Sequence, residues 1–186
     1  MGSKSVKKWP ADFTSHVPPI YSHRMSDEMR FLEPEHYVQH ADKIFRILRD
    51  CVGASLPNAE IEHIGSSAIR GAISKGDLDM LVRVSGADFE TAINKMKALG
   101  FSEKVGTLRT ASLCMLETTE FKIDVAIQLI VRGSEFEDFI RFRDRLNSDQ
   151  DLVQKYNQLK RGCSGMTAAE YRAVKSEFIQ AILEKS

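Results

Sequence analysis

The sequence predicts an α/β (α+β) protein: a mixed β-sheet flanked by helices, followed by a C-terminal three-helix part. Three observations carry that expectation. Apolar residues alternate at period two through residues 78–84 and 121–131, the signature of strands with one buried face. Between 37 and 53, and again between 89 and 99, they recur at helical spacing. The last third carries three Ser/Thr-x-x-acid signatures, each ahead of a helical apolar run.

Taken in order, residues 1–33 read as an irregular arm with Pro10, Pro18 and Pro19, which Trp9, Phe13 and Tyr21 could pin to the domain. Pro34 fits the first turn of a helix whose buried stripe is Tyr37, Val38, Ala41, Ile44, Phe45 and Leu48. His36 and His40 lie four apart, but no Glu or Cys completes a metal site, so they read as solvated helix-flank residues. Ile61–Ile64 is a short strand. Gly65-Ser66 breaks it, and Ser66 to Ser74 can make two helical turns before Gly76 stops them. Leu78, Met80, Val82 and Val84 then form the buried face of a strand whose other face carries Asp77 and Asp79. Ser85-x-x-Asp88 opens a helix with Phe89, Ile93, Met96 and Leu99 inward, closed by Gly100. Residues 101–105, 111–116 and 121–131 are strands, giving the order α-β-α-β-α-β-β-β. Ser134-x-x-Glu137, Ser148-x-x-Asp151 and Thr167-x-x-Glu170 open the last three helices. The expected organisation is an arm (1–33), an α/β core (34–132) and a helical lobe (133–186), packed as one unit.

Composition narrows the function. At 186 residues with 42% hydrophobic content the chain can bury one substantial core. A formal net charge of +0 leaves no global field toward nucleic acid or membrane, and no apolar run approaches transmembrane length. Cys51, Cys114 and Cys163 are odd in number and lack metal-site spacing, which suits reduced thiols and a cytoplasmic setting.

The chemistry concentrates between Glu60 and Val84. Two carboxylates at i and i+2 suit Mg²⁺ (or Mn²⁺), which takes oxygen ligands from one or two acids plus substrate phosphates. The Gly65-Ser66-Ser67 turn opening a helix would offer free N–H groups to a phosphate. Asp124, on the polar face of the strand 121–131, is the candidate third acid, bridging metal and deprotonating an acceptor hydroxyl. Lys75 and Arg70 are candidates to neutralise a polyphosphate. His63 reads as a half-buried histidine hydrogen-bonded to backbone. The basic residues of the helical lobe read as solvated faces, apart from Arg143 and Lys160, which only a family resemblance singles out.

The pattern Gly-Ser, then Asp-x-Asp, then a later acid resembles the nucleotidyltransferase superfamily. Within it, His63-Ile-Gly-Ser-Ser-Ala-Ile-Arg-Gly71, Ser74-Lys-Gly-Asp-Leu-Asp79, Phe142-Arg-Asp-Arg-Leu146, Tyr156-x-x-Leu-Lys160, and Tyr171 with Lys175, Phe178 and Ile179 resemble GrpB-like proteins from about Glu35 onward. The resemblance implies a nucleotidyltransferase-like sheet with a helical C-terminal part. Some such relatives are fused to dephospho-CoA kinase, which implies nucleotide or coenzyme A metabolism. Many carry Pro at the places of Arg70 and Gly76, an apolar residue at that of Asp77, and His at that of Asp124; this chain has all three acids. The expected function is metal-dependent transfer of a nucleoside monophosphate from a nucleoside triphosphate to an unnamed hydroxyl acceptor. The alternative is a non-catalytic nucleotide- or coenzyme A-binding module of the same fold.

Overall fold

The computed structural model describes residues 28–184. Trp9, Phe13 and Tyr21 lie outside the described residues. Five strands form one sheet: β1 (Glu60–Ile64), β2 (Leu78–Val84), β3 (Ser102–Glu103), β4 (Leu113–Thr118) and β5 (Val125–Val131). Their spatial order is β1-β2-β5-β4-β3, with β2 and β5 parallel and the other pairs antiparallel. Five α-helices accompany it: α1 (Val38–Ser55), α2 (Phe89–Ala98), α3 (Asp138–Asn147), α4 (Gln150–Gly162) and α5 (Ala168–Leu183).

Strand periodicity sets the layers. Leu78, Met80, Val82 and Val84 of β2 join Val125, Ile127 and Leu129 of β5 under α1 and α2, in one core with Ile44, Leu48, Phe89 and Met96. The opposite face holds Leu81, Ile64, Ile130 and Leu113, against which Phe136 and Ile140 pack. Asp77 and Asp79 alternate with the first set, so they face the side on which the C-terminal helices lie. Those helices have their own core of Phe142, Leu146, Val153, Tyr156 and Ile182, which takes in Ile69 and Ala72 from the β1–β2 connection. Arg143 docks α3 on β1, donating to Glu62 Oε2 and to the His63 carbonyl, both at 2.8 Å. The end of the N-terminal arm is held too: Leu32 and Ser74 exchange backbone hydrogen bonds, and Met29 pairs with the chain before α5.

Several local expectations change. Ser66 to Ser74 does not make two helical turns: a single 3-10 turn, Ser66–Ala68, is followed by irregular chain. Helical side chains take its backbone groups instead. Asn147 bonds the Arg70 N–H and the Ala68 carbonyl; Asn157 bonds the Ile73 N–H and the Gly71 carbonyl. Those bonds outcompete a local i→i+4 ladder, and Gly71 takes a positive φ of 79°. Strand ends shift also: β5 starts at Val125, not residue 121, and β3 is only two residues long. Ser134 makes no cap; Glu137 accepts from Gly133 N–H and Arg83 rather than reaching back to Ser134. Asp149, not Ser148, caps α4, accepting from the N–H groups of Asp151 and Leu152. The Thr167–Glu170 capping box forms as the sequence predicts.

Candidate functional site

The site lies at the start of β2, where the β1–β2 connection passes beneath the C-terminal helices. Gly65 carries φ +72° and ψ −168°, a region essentially restricted to glycine. A Cβ built there would fall 2.3 Å from Asp79 Oδ2. Glycine is therefore required twice, by the backbone and by the carboxylate pressed against it. Among the described residues, the N–H groups of Ser66 and Ser67 have no backbone partner.

Asp77 sits one residue before β2, half-buried. Its carboxylate is 2.8 Å from Lys75 Nζ and accepts from the Ser74 hydroxyl at 3.2 Å. Burial alone would raise the Asp77 pKa, but the Lys75 charge and hydrogen bond, helped by Lys175, bring it below the usual carboxylate range. Asp79 goes the other way. Burial first, then the Asp77 charge, push its carboxyl up to about 6, against the pull of Lys175 and Lys75. Lys75 is held above its ordinary value by Asp77 foremost, with burial opposing and Asp79 and Asp124 adding their charges.

Asp124 immediately precedes β5. Leu78 N–H donates to the Asp124 carbonyl at 2.9 Å, and Leu78 pairs with Val125, so Asp77 and Asp124 are register neighbours on parallel strands. Each residue immediately precedes its strand, and the Asp124 charge acts on Lys75. Asp124 is exposed, whereas Asp77 and Asp79 are half-buried. Among the described residues no three His, Cys, Asp or Glu side chains gather closely enough to enclose a metal ion. The pair Asp77–Asp79 still has the donor chemistry of a hard cation, because two repelling carboxylates share one half-buried wall. They would act as two protein ligands, with the remaining positions left to phosphate or water.

The helical side brings groups that sequence reasoning placed only by resemblance. Lys160 of α4, fully buried, donates from Nζ to Ser66 Oγ at 2.6 Å and to the Ile73 carbonyl at 2.5 Å, with the Tyr156 ring centroid 3.9 Å away. Lys175 of α5 is close enough for its charge to act on Asp77, Asp79 and Lys160. Tyr37, at the start of α1, donates to the Ala72 carbonyl at 2.5 Å. Asn147, Asn157 and Tyr37 carry no motif signal, since each acts on backbone more than 25 residues away in sequence. Arg70 is exposed on the connection.

His63 departs from the expectation of a backbone partner. Its Nε2 shares a 3.0 Å hydrogen bond with Ser67 Oγ, its Nδ1 lies 3.6 Å from Asp42, and its ring stacks on Phe45. Burial lowers its pKa to about 4, although Asp42 works against that. His40 is half-buried with Nε2 unpartnered among the described residues, so it is not simply solvated.

A mixed sheet bearing the Gly-Ser turn and Asp-x-Asp at adjoining strand ends, capped by C-terminal helices, defines a protein of the nucleotidyltransferase-like fold. The GrpB protein family matches residues 32–185, and the chain belongs to that family. A UPF0157 protein of Vibrio cholerae is 46% identical over 159 residues, covering 86% of this chain and 84% of its own. A UPF0157 protein of Halalkalibacterium halodurans is 29% identical over 135 residues, covering 68% of this chain and 67% of its own. Among solved structures, the conserved protein GrpB from Enterococcus faecalis aligns with a TM-score of 0.62 at 17% identity, over 82% of this chain and 98% of that one. Cid1, described by its RNA terminal uridylyl transferase activity, aligns with a TM-score of 0.50 at 18% identity, over 66% of this chain but only 38% of its own. At these identities both structures speak for the fold alone. No described helix is long and apolar enough to cross a membrane.

Proposed function

We propose that this site binds a nucleoside triphosphate together with Mg²⁺ or Mn²⁺ and transfers its nucleoside monophosphate to a hydroxyl acceptor. The carrying observation is the placement of Asp79. Its carboxylate lies against Gly65, beside Asp77, at the turn whose Ser66 and Ser67 N–H groups have no backbone partner. Charge supports the same reading: three carboxylates (Asp77, Asp79, Asp124) act on Lys75, and Lys175 adds a second ammonium near the pair. The half-buried, mutually repelling pair Asp77–Asp79 complements a divalent cation carrying phosphates better than a bare anion.

Asp77 and Asp79 would hold the cation, which supplies Lewis acidity at the transferring phosphoryl group. Ser66 and Ser67 would bind phosphate oxygens through N–H and hydroxyl groups. Lys75 and Lys175 would offset the polyphosphate charge, since both already act on Asp77 and Asp79. The exposed carboxylate of Asp124, whose charge reaches Lys75, would take the proton of the acceptor hydroxyl.

A second reading is a binding module without transfer. It is favoured by the Lys75–Asp77 ion pair at 2.8 Å and by the absence of a three-acid cluster among the described residues. One experiment separates the two. Calorimetric titration with the four ribonucleoside triphosphates, with Mg²⁺ and with chelator, is paired with detection of released pyrophosphate. Metal-dependent binding lost in Asp79→Asn, with pyrophosphate release, supports transfer. Metal-independent binding without pyrophosphate supports the module, and no binding of any nucleotide sinks both.

A further inference from the structure

Lys160 is the most deeply buried cation of the described residues, with 0% of its surface exposed, and it lies in the C-terminal helices rather than in either half of the Gly-Ser and Asp-x-Asp motif. A lysine head desolvated to this degree is costly unless every N–H finds an acceptor. Three acceptors surround Lys160 Nζ: the Ile73 carbonyl at 2.5 Å, Ser66 Oγ at 2.6 Å and the face of the Tyr156 ring at 3.9 Å from its centroid. The carbonyl can only accept, and the electron-rich ring face attracts protons rather than a lone pair. Burial and then the Lys175 charge push the Lys160 pKa well down, while Asp77 and Asp79 act to keep its proton; with that proton kept, the third N–H donates to Ser66 Oγ.

This has a consequence for the hydroxyl. A serine hydroxyl has one proton and two lone pairs. With a lone pair occupied by Lys160, the Ser66 proton must point elsewhere, and Ser66 is itself only half-buried. The Ile73 contact adds a second restraint, because it fixes the far end of the β1–β2 connection to the same ammonium. Lys160 thus ties the two ends of that connection, residues 66 and 73, to a single atom of α4.

We propose that Lys160 is the positioning residue of the site: by donating to Ser66 Oγ it sets the Ser66 hydroxyl as a hydrogen-bond donor to a phosphoryl oxygen of a bound polyphosphate. This rests on the reading of the site as a metal–polyphosphate site. Lys160 does not touch the ligand; it fixes which way Ser66 donates.

The test is a double-mutant cycle read by calorimetry, with Mg²⁺-tripolyphosphate and Mg²⁺-ATP as probes. Ser66→Ala should weaken tripolyphosphate binding roughly tenfold or more, as expected for a lost bond to a charged acceptor. Ser66→Thr, which keeps the hydroxyl, should bind within about threefold of the wild type, well inside one such bond. Lys160→Met should weaken binding when Ser66 is present and change nothing further when Ser66 is already alanine. A purely structural lysine would instead weaken both backgrounds equally, and that result overturns the proposal, as does Ser66→Ala binding like the wild type. If Lys160→Met fails to fold, the Lys160 Nζ resonance is followed by ¹⁵N NMR as tripolyphosphate is added. It should shift with Ser66 intact and stay still in Ser66→Ala; equal shifts in both refute the proposal. Binding of tripolyphosphate without ATP would leave Lys160 in this role and remove the nucleotide reading. ATP binding indifferent to Ser66 would do the reverse, and binding of neither probe overturns both.

Discussion

Replacing Asp79 by Asn should stabilise the metal-free protein while removing metal-dependent nucleotide binding. The carboxyl is raised from 3.8 to about 6 by burial and by Asp77, so the folded state disfavours its charge. At 1.36 kcal/mol per pH unit, that displacement corresponds to at most about 3 kcal/mol at neutral pH. Cleft water and coupling to Asp77 reduce it to about 1–2 kcal/mol. Asn has the shape of Asp and fits against Gly65 without the charge. For a chain of this size the gain is roughly 2–8 °C in Tm. The native state binds the Asp79 proton more tightly than the unfolded chain, so this group costs stability as pH rises from about 4 through 6. The advantage of Asp79→Asn should therefore be full at pH 7 and absent below about pH 4. Calorimetric melting in chelator at pH 7 and pH 4, with Mg²⁺-ATP titration of both proteins, reads both halves. A lower Tm for Asp79→Asn at pH 7 would show Asp79 to be a structural counter-ion for Lys75 and Lys175, and the argument would fail.

Three further outcomes are expected. His63, with 13% of its side chain exposed and its pKa lowered to about 4, stays neutral in the fold while the unfolded chain protonates near 6.5; its stabilisation is complete above that value and shrinks as pH falls toward 4. At pH 5 the loss is about 2 kcal/mol, so His63→Gln should flatten the pH dependence of denaturant midpoints by about that amount. Gly65→Ala places a Cβ 2.3 Å from Asp79 Oδ2 at φ +72° and should cost at least about 1–3 kcal/mol, with nucleotide binding lost; a variant as stable as the wild type would contradict the close approach. Asn157→Ala strands the buried Ile73 N–H and the Gly71 carbonyl, and should lower stability by about 2–4 kcal/mol in urea unfolding.

What the sequence determined by itself was the alternation of the central strand and the last helix cap, both of which depend on near neighbours alone. Period-two alternation in β2 needs only the pleat, so it separated Leu78, Met80 and Val82 from Asp77 and Asp79 before any packing was known. The Thr167–Glu170 box closes within one turn and formed as written. The tertiary structure decided what depends on distant partners. The register of β5 on β2 makes Asp124 the neighbour of Asp77, and no local pattern encodes a parallel pairing across that separation. The stretch after Ser67 has residues able to make helix, yet Asn147, Asn157, Tyr37 and Lys160 capture its backbone from afar, and Ile69 and Ala72 go into the helical core. Ser134 and Ser148 carried cap signatures, but Arg83 drew Glu137 away and Asp149 stood one residue better placed. Local rules fix a segment only while its backbone groups are satisfied locally. At this site they are satisfied by side chains 70 to 90 residues on, such as Asn147 and Lys160, which is why the strand face of Asp79 could be read from the sequence and the groups that hold the turn beside it could not.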